Sequence, residues 1–301
     1  MIAPPPPVNH GVCRGRRFSA VAKAAYCATM ADPAIRTASS SPAQRWRGDG
    51  GVVEACTRDT PEEAAIGLAY DSAPYVVIMA TPADIEDLAV GFTVSEAIAP
   101  AVEIDRVTVS RVAEGWLADV LLLPRIGARL GVARRRTLAA RSSCGLCGVE
   151  SLREAIRPIA RVGQGPAVSH AAIQAALAAL EVGQTLGART RATHAAAWAD
   201  PSGGVALVRE DVGRHNALDK LIGAASRAGL DPAAAFIVIT SRCSYEMVEK
   251  TAAAGVALLV AISAPTSLAI AKARDAGMTL VALARADGHC VFTGARRIVR
   301  P

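Results

Sequence analysis

Two cysteines in a glycine-rich segment are the residues of this sequence best suited to chemistry. Cys144 and Cys147 lie in the run Cys-Gly-Leu-Cys-Gly, where the glycines leave room for another molecule to approach. A free thiol has a pKa near 8.5 and is only about 3% thiolate at neutral pH. Arg141 lies upstream, and a helix is predicted to begin at about Val149, so a positive charge and a helix N-terminus both favour the thiolate. The segment therefore predicts a nucleophilic sulfur on an accessible loop.

This cysteine pair has three candidate roles, namely sulfur transfer through a persulfide, dithiol redox exchange and structural zinc binding. Structural zinc takes four ligands, but the chain has no second cysteine pair with this spacing, and its histidines show no ligand spacing. A thioredoxin-type pair follows an apolar strand, whereas an arginine-rich stretch precedes this one. A zinc nucleobase deaminase is excluded because no His-x-Glu occurs. Sulfur transfer is therefore favoured, and no metal site is predicted.

Four loops in the second half of the chain are predicted to follow the carboxyl ends of strands. They span residues 210–215, 241–244, 264–267 and 285–288. In open α/β sheets such loops line the ligand crevice. Three of them precede a predicted helix, whose N-terminus favours anions. The pattern therefore predicts a crevice that receives a phosphate-bearing ligand.

Polar side chains in and beside these loops are the candidates for ligand binding. They are His194, Asp211, Arg214, His215, Ser241 and Arg242. Each position also has a plain structural interpretation. Asn216 is predicted to cap the helix after the first loop, together with Asp219. Ser244 is equally a helix N-cap, and His194 is equally a core histidine with satisfied hydrogen bonds.

The elements that must position these residues fall into four regions. Thr81 and Pro82 are predicted to begin the helix of the second region. In the last region strands and helices alternate, which is typical of α/β layers. There Ser169 is predicted to cap a helix, and Gly255 and Gly277 to end two others. The predicted regions are a disordered basic N-terminal extension (1–48), a β-rich subdomain with one helix (49–123), a mobile arginine-rich loop that carries the cysteines (124–148) and an α/β cofactor-binding domain (149–301).

Composition and charge exclude several classes of protein. The chain has 301 residues, of which 51% are hydrophobic, so wholesale disorder is excluded. Residues 1–48 contain seven basic residues and one acidic residue, so they account for the whole net charge of +6 and the remainder is neutral. A nucleic-acid-binding core is therefore not expected. No apolar run approaches the roughly 20 residues of a membrane helix, and seven cysteines do not suit a secreted disulfide framework. We expect a cytoplasmic protein.

Five runs of sequence in order resemble the FdhD family of formate dehydrogenase accessory sulfurtransferases. The resemblance extends from about Gly51 to Arg297. The runs are YVVIMATP at 75–82, CGLCG at 144–148, EDVGRHNALDKLIG at 210–223, SRCSYEMVEK at 241–250 and AISAPTSLAI at 261–270.

The resemblance implies a fold, a reaction and a set of partners. The last region would be a three-layer domain similar to cytidine deaminase without its zinc. Sulfur would pass from a cysteine desulfurase to the molybdenum cofactor before that cofactor enters formate dehydrogenase. Cys144 would carry the persulfide, with Cys147 as the second cysteine of the loop. A homodimer is compatible with the resemblance, and no nucleic acid or membrane partner is implied.

The resemblance also implies a ligand and the segment that binds it. The ligand, bound as a substrate, would be molybdenum bis(molybdopterin guanine dinucleotide). The corresponding binding stretch consists of Leu283, Ala284, Arg285, Ala286, Asp287 and Gly288. Two alternatives stay open, namely a non-catalytic chaperone that holds the cofactor and a dithiol redox protein.

Overall fold

A computed structural model gives the fold and describes residues 36–47, 51–123 and 159–299. The elements before the gap at 124–158 are mainly strands. They are β1 (Ala38–Arg47), β2 (Val52–Pro61), β3 (Ala64–Tyr70), β4 (Ala73–Ala80), α1 (Ile85–Ser95), β5 (Ile104–Val112) and β6 (Gly115–Leu122).

Helices and strands alternate after the gap. The elements are β7 (Val168–Ser169), α2 (His170–Gly183), α3 (Thr185–Thr190), β8 (His194–Ala199), β9 (Val205–Asp211), α4 (Arg214–Arg227), β10 (Phe236–Ile239), α5 (Tyr245–Ala253), β11 (Leu258–Ala261), α6 (Ser267–Asp275), β12 (Thr279–Arg285), β13 (Gly288–Thr293) and β14 (Ile298–Val299). This mixed α/β content confirms the coarse fold prediction, whereas the likeness to cytidine deaminase stays a prediction.

A four-stranded sheet in the order β4-β3-β6-β5 carries α1 on one face. Successive side chains of a strand point to opposite faces, so Ile66 and Leu68 of β3 share the inner face. They pack in one buried cluster with Leu88 and Phe92 of α1. This layer places the end of β4 beside the first predicted crevice loop.

A six-stranded sheet in the order β13-β12-β11-β10-β8-β9 is covered by helices on both faces. β10, β11 and β12 are parallel, and the outer strands pair antiparallel to their neighbours. Ile237 and Ile239 of β10 pack toward α4, α5 and α6, whereas Phe236 and Val238 pack toward α2. Strands that are buried on both faces explain the apolar runs of the sequence.

Helices α1 and α4 touch backbone to backbone at two glycines. A Cβ atom at Gly91 would lie 1.7 Å from the carbonyl oxygen of Asp219, and one at Gly223 would lie 1.9 Å from that of Asp87. Because no larger side chain fits, these glycines fix how closely the helices approach. The crossing joins the layer of the four-stranded sheet to the helix that begins at the first crevice loop.

The disordered N-terminal extension is predicted to reach residue 48, and this C-terminal boundary is wrong. Residues Ala38–Arg47 form β1 and pair antiparallel with β2 along the whole strand. Polar cross-strand contacts support the pairing, such as that between the hydroxyls of Ser41 and Thr60 at 2.9 Å. A ribbon without an apolar face lacks the alternation that predicts a strand. The rest of the extension and the arginine-rich loop lie outside the described residues.

Two predicted helix starts are also wrong. α1 begins at Ile85, with Asp84 rather than Thr81 in the N-cap position. α4 begins at Arg214, and its N-cap residue is Gly213 rather than Asn216. In both cases the misplaced residue has partners elsewhere in the fold. Among the described residues, no helix has the length and hydropathy to span a membrane.

Candidate functional site

The predicted crevice loops meet at one edge of the six-stranded sheet. β8 is antiparallel to β9, so His194 at the start of β8 pairs with Asp211 at the end of β9. The backbone N–H of Ala195 donates to Thr240 Oγ1, just after β10, at 2.9 Å. The candidates in the first two loops and His194 are therefore neighbours, as the sequence predicts.

The loops after β10 and β11 and the last part of β12 are joined by backbone hydrogen bonds. Cys243 N–H donates to the carbonyl of Ala264 at 3.2 Å, and Leu283 N–H donates to the carbonyl of Ser263 at 3.2 Å. Burial raises the pKa of the Cys243 thiol to about 12. Cys243 is therefore a packing residue rather than a nucleophile at neutral pH.

Asp211 is the centre of a buried cluster beneath the first loop. Its Oδ2 lies 2.6 Å from Lys220 Nζ and accepts a hydrogen bond from Thr81 N–H at 3.0 Å. Its Oδ1 accepts from Gly213 N–H at 2.8 Å and from Asn216 Nδ2 at 3.0 Å. Since Asp211 and Lys220 are both fully buried, Asp211 has no surface open to a ligand and instead fixes the loop.

Arg214 and His215 lie on the open side of the same loop. His215 Nε2 is 2.8 Å from Glu246 Oε2, and Arg214 Nη2 is 4.0 Å from the same oxygen. Ser244 Oγ also donates to it at 3.3 Å. The hydrogen bond from His215 holds the pKa of Glu246 below its ordinary value, against the opposing effect of burial. The carboxylate thus ties the starts of α4 and α5 together.

Positive charge predominates around His194. Burial lowers the pKa of His194, and the charges of Arg214, His215 and Arg242 lower it further, against the opposing charge of Asp211. Arg242 is exposed, and no carboxylate of the described residues pairs with it. A cationic surface next to the starts of two helices suits an anionic group, such as a phosphate.

The remaining predicted residues differ in how open they are. Ser241 is buried, and its Oγ donates to the backbone carbonyl of Arg242 at 3.0 Å, so it shapes the loop. Leu283 is 41% exposed and has a left-handed backbone with φ 53°. Ala284 is buried, whereas Arg285, Ala286 and Asp287 are exposed around the turn to Gly288.

Three contributors to this site were not predicted from the sequence. Thr81 accepts from Val212 N–H at 3.2 Å through its hydroxyl, and its carbonyl accepts from Lys220 Nζ at 2.9 Å. Lys220 and Glu246 lie inside the runs that carry the family resemblance, which is the only signal that marks them. Cys144 and Cys147 lie outside the described residues. Within the described ranges no cluster of three or more metal-ligating side chains occurs.

Comparisons with known proteins cover most of the chain. The model of the FdhD/NarQ family matches residues 61–299. Proteins named sulfur carrier protein FdhD are similar to this chain. The one from Bordetella petrii is 41% identical over 257 residues, which cover 84% of this chain and 92% of the relative. The one from Cupriavidus necator is 42% identical over 272 residues, which cover 90% and 93%.

A solved structure resembles this fold. It comes from Desulfotalea psychrophila, from a protein assigned as a formate dehydrogenase accessory protein. The TM-score is 0.69 at 22% sequence identity, and the match covers 88% of this chain and 100% of the other. At this identity the likeness supports the fold alone.

Proposed function

The chain belongs to the FdhD/NarQ family, and from that membership we propose that it carries persulfide sulfur from a cysteine desulfurase to the molybdenum cofactor, before the cofactor enters formate dehydrogenase. The observation that carries the proposal is the extent of the family match. It spans residues 61–299 and thus includes both the cysteine pair and all the crevice loops.

The first step of the proposed reaction is a thiol exchange at Cys144. The Cys144 thiolate attacks the terminal sulfur of the persulfide on the desulfurase. A new S–S bond forms on Cys144, the donor's S–S bond breaks, and the donor cysteine leaves as a thiolate. The helix N-terminus and arginines predicted around Cys144 would stabilise the attacking thiolate.

The second step delivers the outer sulfur to the cofactor substrate. Two electrons convert this sulfur to sulfide. If the cofactor supplies them, Cys144 returns to the thiolate. If Cys147 supplies them, its thiolate attacks Cys144, sulfide leaves, and the pair ends as a disulfide. The redox state of the pair after transfer therefore distinguishes a pure carrier from dithiol chemistry.

The open side of the sheet edge is the proposed cofactor site. Arg214 and Arg242 present cations beside the starts of α4 and α5, and Arg285 lies exposed on the β12–β13 hairpin, two strands from β10 in the sheet. One guanidinium group can donate to two phosphate oxygens at once, and helix N-termini add backbone N–H donors. These groups suit the phosphates of a guanine dinucleotide.

Mass spectrometry of the full chain tests the sulfur step. After incubation with a cysteine desulfurase and cysteine, we expect an adduct of one sulfur on Cys144, lost in Cys144→Ala and kept in Cys147→Ala. Cys290→Ser is the matched control, because Cys290 is an exposed free thiol elsewhere. An adduct that survives Cys144→Ala, or one that Cys290→Ser removes, would falsify the assignment.

A non-catalytic chaperone is the second candidate, because the exposed Arg242 and half-buried Arg214 suit an anionic ligand whether or not the cysteines react. Complementation of a strain that lacks this activity separates the two functions. A carrier with Cys144→Ala gives no active formate dehydrogenase, whereas a chaperone with that substitution still does. Arg214→Ala should impair both.

A further inference from the structure

A pair of histidines joins the β12–β13 hairpin to helix α2. His289 follows Gly288, the last residue of the proposed cofactor-binding stretch. Its Nε2 lies 2.7 Å from Nδ1 of His170, and its Nδ1 lies 3.1 Å from Nε2 of Gln174. The two rings stack with centroids 4.9 Å apart and planes at 22°. Both ring nitrogens of His289 are therefore engaged by the first turns of α2.

The hydrogen bonds form one directed chain. The Gln174 amide nitrogen donates, so Nδ1 of His289 accepts and the proton of the neutral ring lies on Nε2. That proton is then donated to Nδ1 of His170. Burial lowers the pKa of His289, which favours the neutral ring that the hydrogen bonds to Gln174 and His170 require.

The hairpin that His289 enters is weakly held by its own backbone. β13 is an edge strand, and its pairing with β12 shifts register between Ala282 and Arg285. Leu283, inside this irregular stretch, has the left-handed φ of 53° that non-glycine residues seldom adopt. Local openings of such a segment cost little, so side-chain contacts weigh heavily in its position.

We propose that His170 is a positioning residue that, through His289, holds the 283–288 loop against the sheet edge in a conformation ready to bind an anionic nucleotide. The proposal rests on the proposed function, because that function assigns the loop to cofactor binding. Gln174 supports the same ring from the opposite side. A ligand that meets an ordered loop avoids the entropic cost of ordering it, so the histidine pair raises affinity without touching the ligand.

Guanosine diphosphate is the probe, and its dissociation constant for the full chain is measured by calorimetry. We expect His170→Ala to weaken binding about three- to tenfold, the range for one lost hydrogen bond. His170→Asn should restore most of the affinity, because its amide oxygen can accept from His289 Nε2. Glu181→Ala, at the exposed far end of α2, is the control and should bind like the wild type.

Hydrogen exchange of residues 284–290 gives a second measurement that does not depend on the ligand. His170→Ala should speed exchange there and leave the other strands of the sheet unchanged, and His170→Asn should return it toward wild type. Unchanged exchange in His170→Ala, or a His170→Asn variant as defective as the alanine, overturns the proposal. If the wild type binds no guanosine diphosphate while the exchange pattern is as expected, the hairpin contact stands and the proposed cofactor site fails.

Discussion

One sequence motif supplies two clusters of charged side chains that differ in their burial and in their partners. Within residues 210–223, Asp211 and Lys220 face inward and are fully buried, whereas Arg214 and His215 lie partly exposed at the start of α4. The inner pair is closed by Thr81 from the other sheet layer. The outer pair shares one carboxylate, that of Glu246. A charged residue in this motif therefore either stabilises the fold, when it is buried, or is available to a ligand, when it is exposed.

The buried side continues along α4 and β9 as further ion pairs, in which Asp219 of α4 meets α5 and Arg209 of β9 meets α1. Lys250 Nζ lies 2.9 Å from Asp219 Oδ2, and Ser95 Oγ donates to Asp219 Oδ1 at 2.6 Å. Arg209 Nη2 lies 2.8 Å from Asp87 Oδ2. Removing one member of a buried pair leaves an uncompensated charge, which costs far more than losing an exposed ion pair. We therefore expect substitutions on the buried side to lower the free energy of unfolding, and substitutions on the open side to leave it nearly unchanged.

The largest effect is expected on the buried side. Lys220→Met leaves the Asp211 carboxylate buried without its cation and should lower the free energy of unfolding by about 3–5 kcal/mol. Adding Asp211→Asn should recover part of the loss, because the uncompensated charge is gone. Urea unfolding measures both.

Arg285→Met is the control, since Arg285 is exposed, and it should change stability by less than about 0.5 kcal/mol. If Lys220→Met unfolds at the same urea concentration as this control, the contrast between the two sides is lost.

On the open side, substitutions should change binding and leave stability intact. Arg242→Ala or Arg214→Ala should weaken guanosine diphosphate binding about tenfold each, as expected for one charge-assisted hydrogen bond. Arg111→Ala removes the same charge from β5, where Arg111 lies over the ring of Trp116, and should bind normally. Calorimetry gives the affinities. Equal losses in all three variants would mean that net charge, rather than a built site, attracts the ligand.

Local signals in the sequence predicted elements that depend on their immediate neighbours. Ser169 caps α2 by accepting from Ala172 N–H, as predicted. Gly255 and Gly277 follow α5 and α6 with positive φ, the conformation expected of helix-ending glycines. The convergence of the loops on one sheet edge was also predicted, because each loop follows the carboxyl end of a predicted strand.

The predicted roles were wrong for two residues whose partners include groups far away in the sequence. Thr81 and Asn216 have the chemistry of helix caps, but the Asn216 amide donates to the carbonyl of Met79 and to Asp211. Thr81 contacts Asp211, 130 positions along the chain. Capping is a property of nearby residues, whereas these contacts exist only once two layers pack. The division of the motif into buried and open halves is likewise invisible before the packing is known.

The open side should also carry the pH dependence of the site. The pKa of His194 is lowered from 6.5 by burial and by Arg214, His215 and Arg242. We therefore expect its NMR titration to fall below that value, and Arg242→Ala to move it upward. Because the unfolded chain binds the proton more readily, His194 contributes stability above about pH 6.5 that is lost as the pH falls through its folded pKa. A His194 titration that Arg242→Ala leaves unmoved would place the two groups too far apart to share a ligand.

The smallest effect is expected from the backbone at the border of the open side. Arg191 is the C-cap residue that follows α3, three residues before His194, and its φ of 55° is in the left-handed region. Glycine adopts this conformation without a Cβ penalty but gains freedom in the unfolded chain, so the two effects largely offset each other. Arg191→Gly should therefore raise the free energy of unfolding by only about 0.5 kcal/mol. Arg191→Ala removes the same charge and keeps the Cβ, so it should give no gain in urea unfolding. If both variants stabilise the fold equally, the strain at this border is electrostatic and Arg191 belongs with the cations of the site.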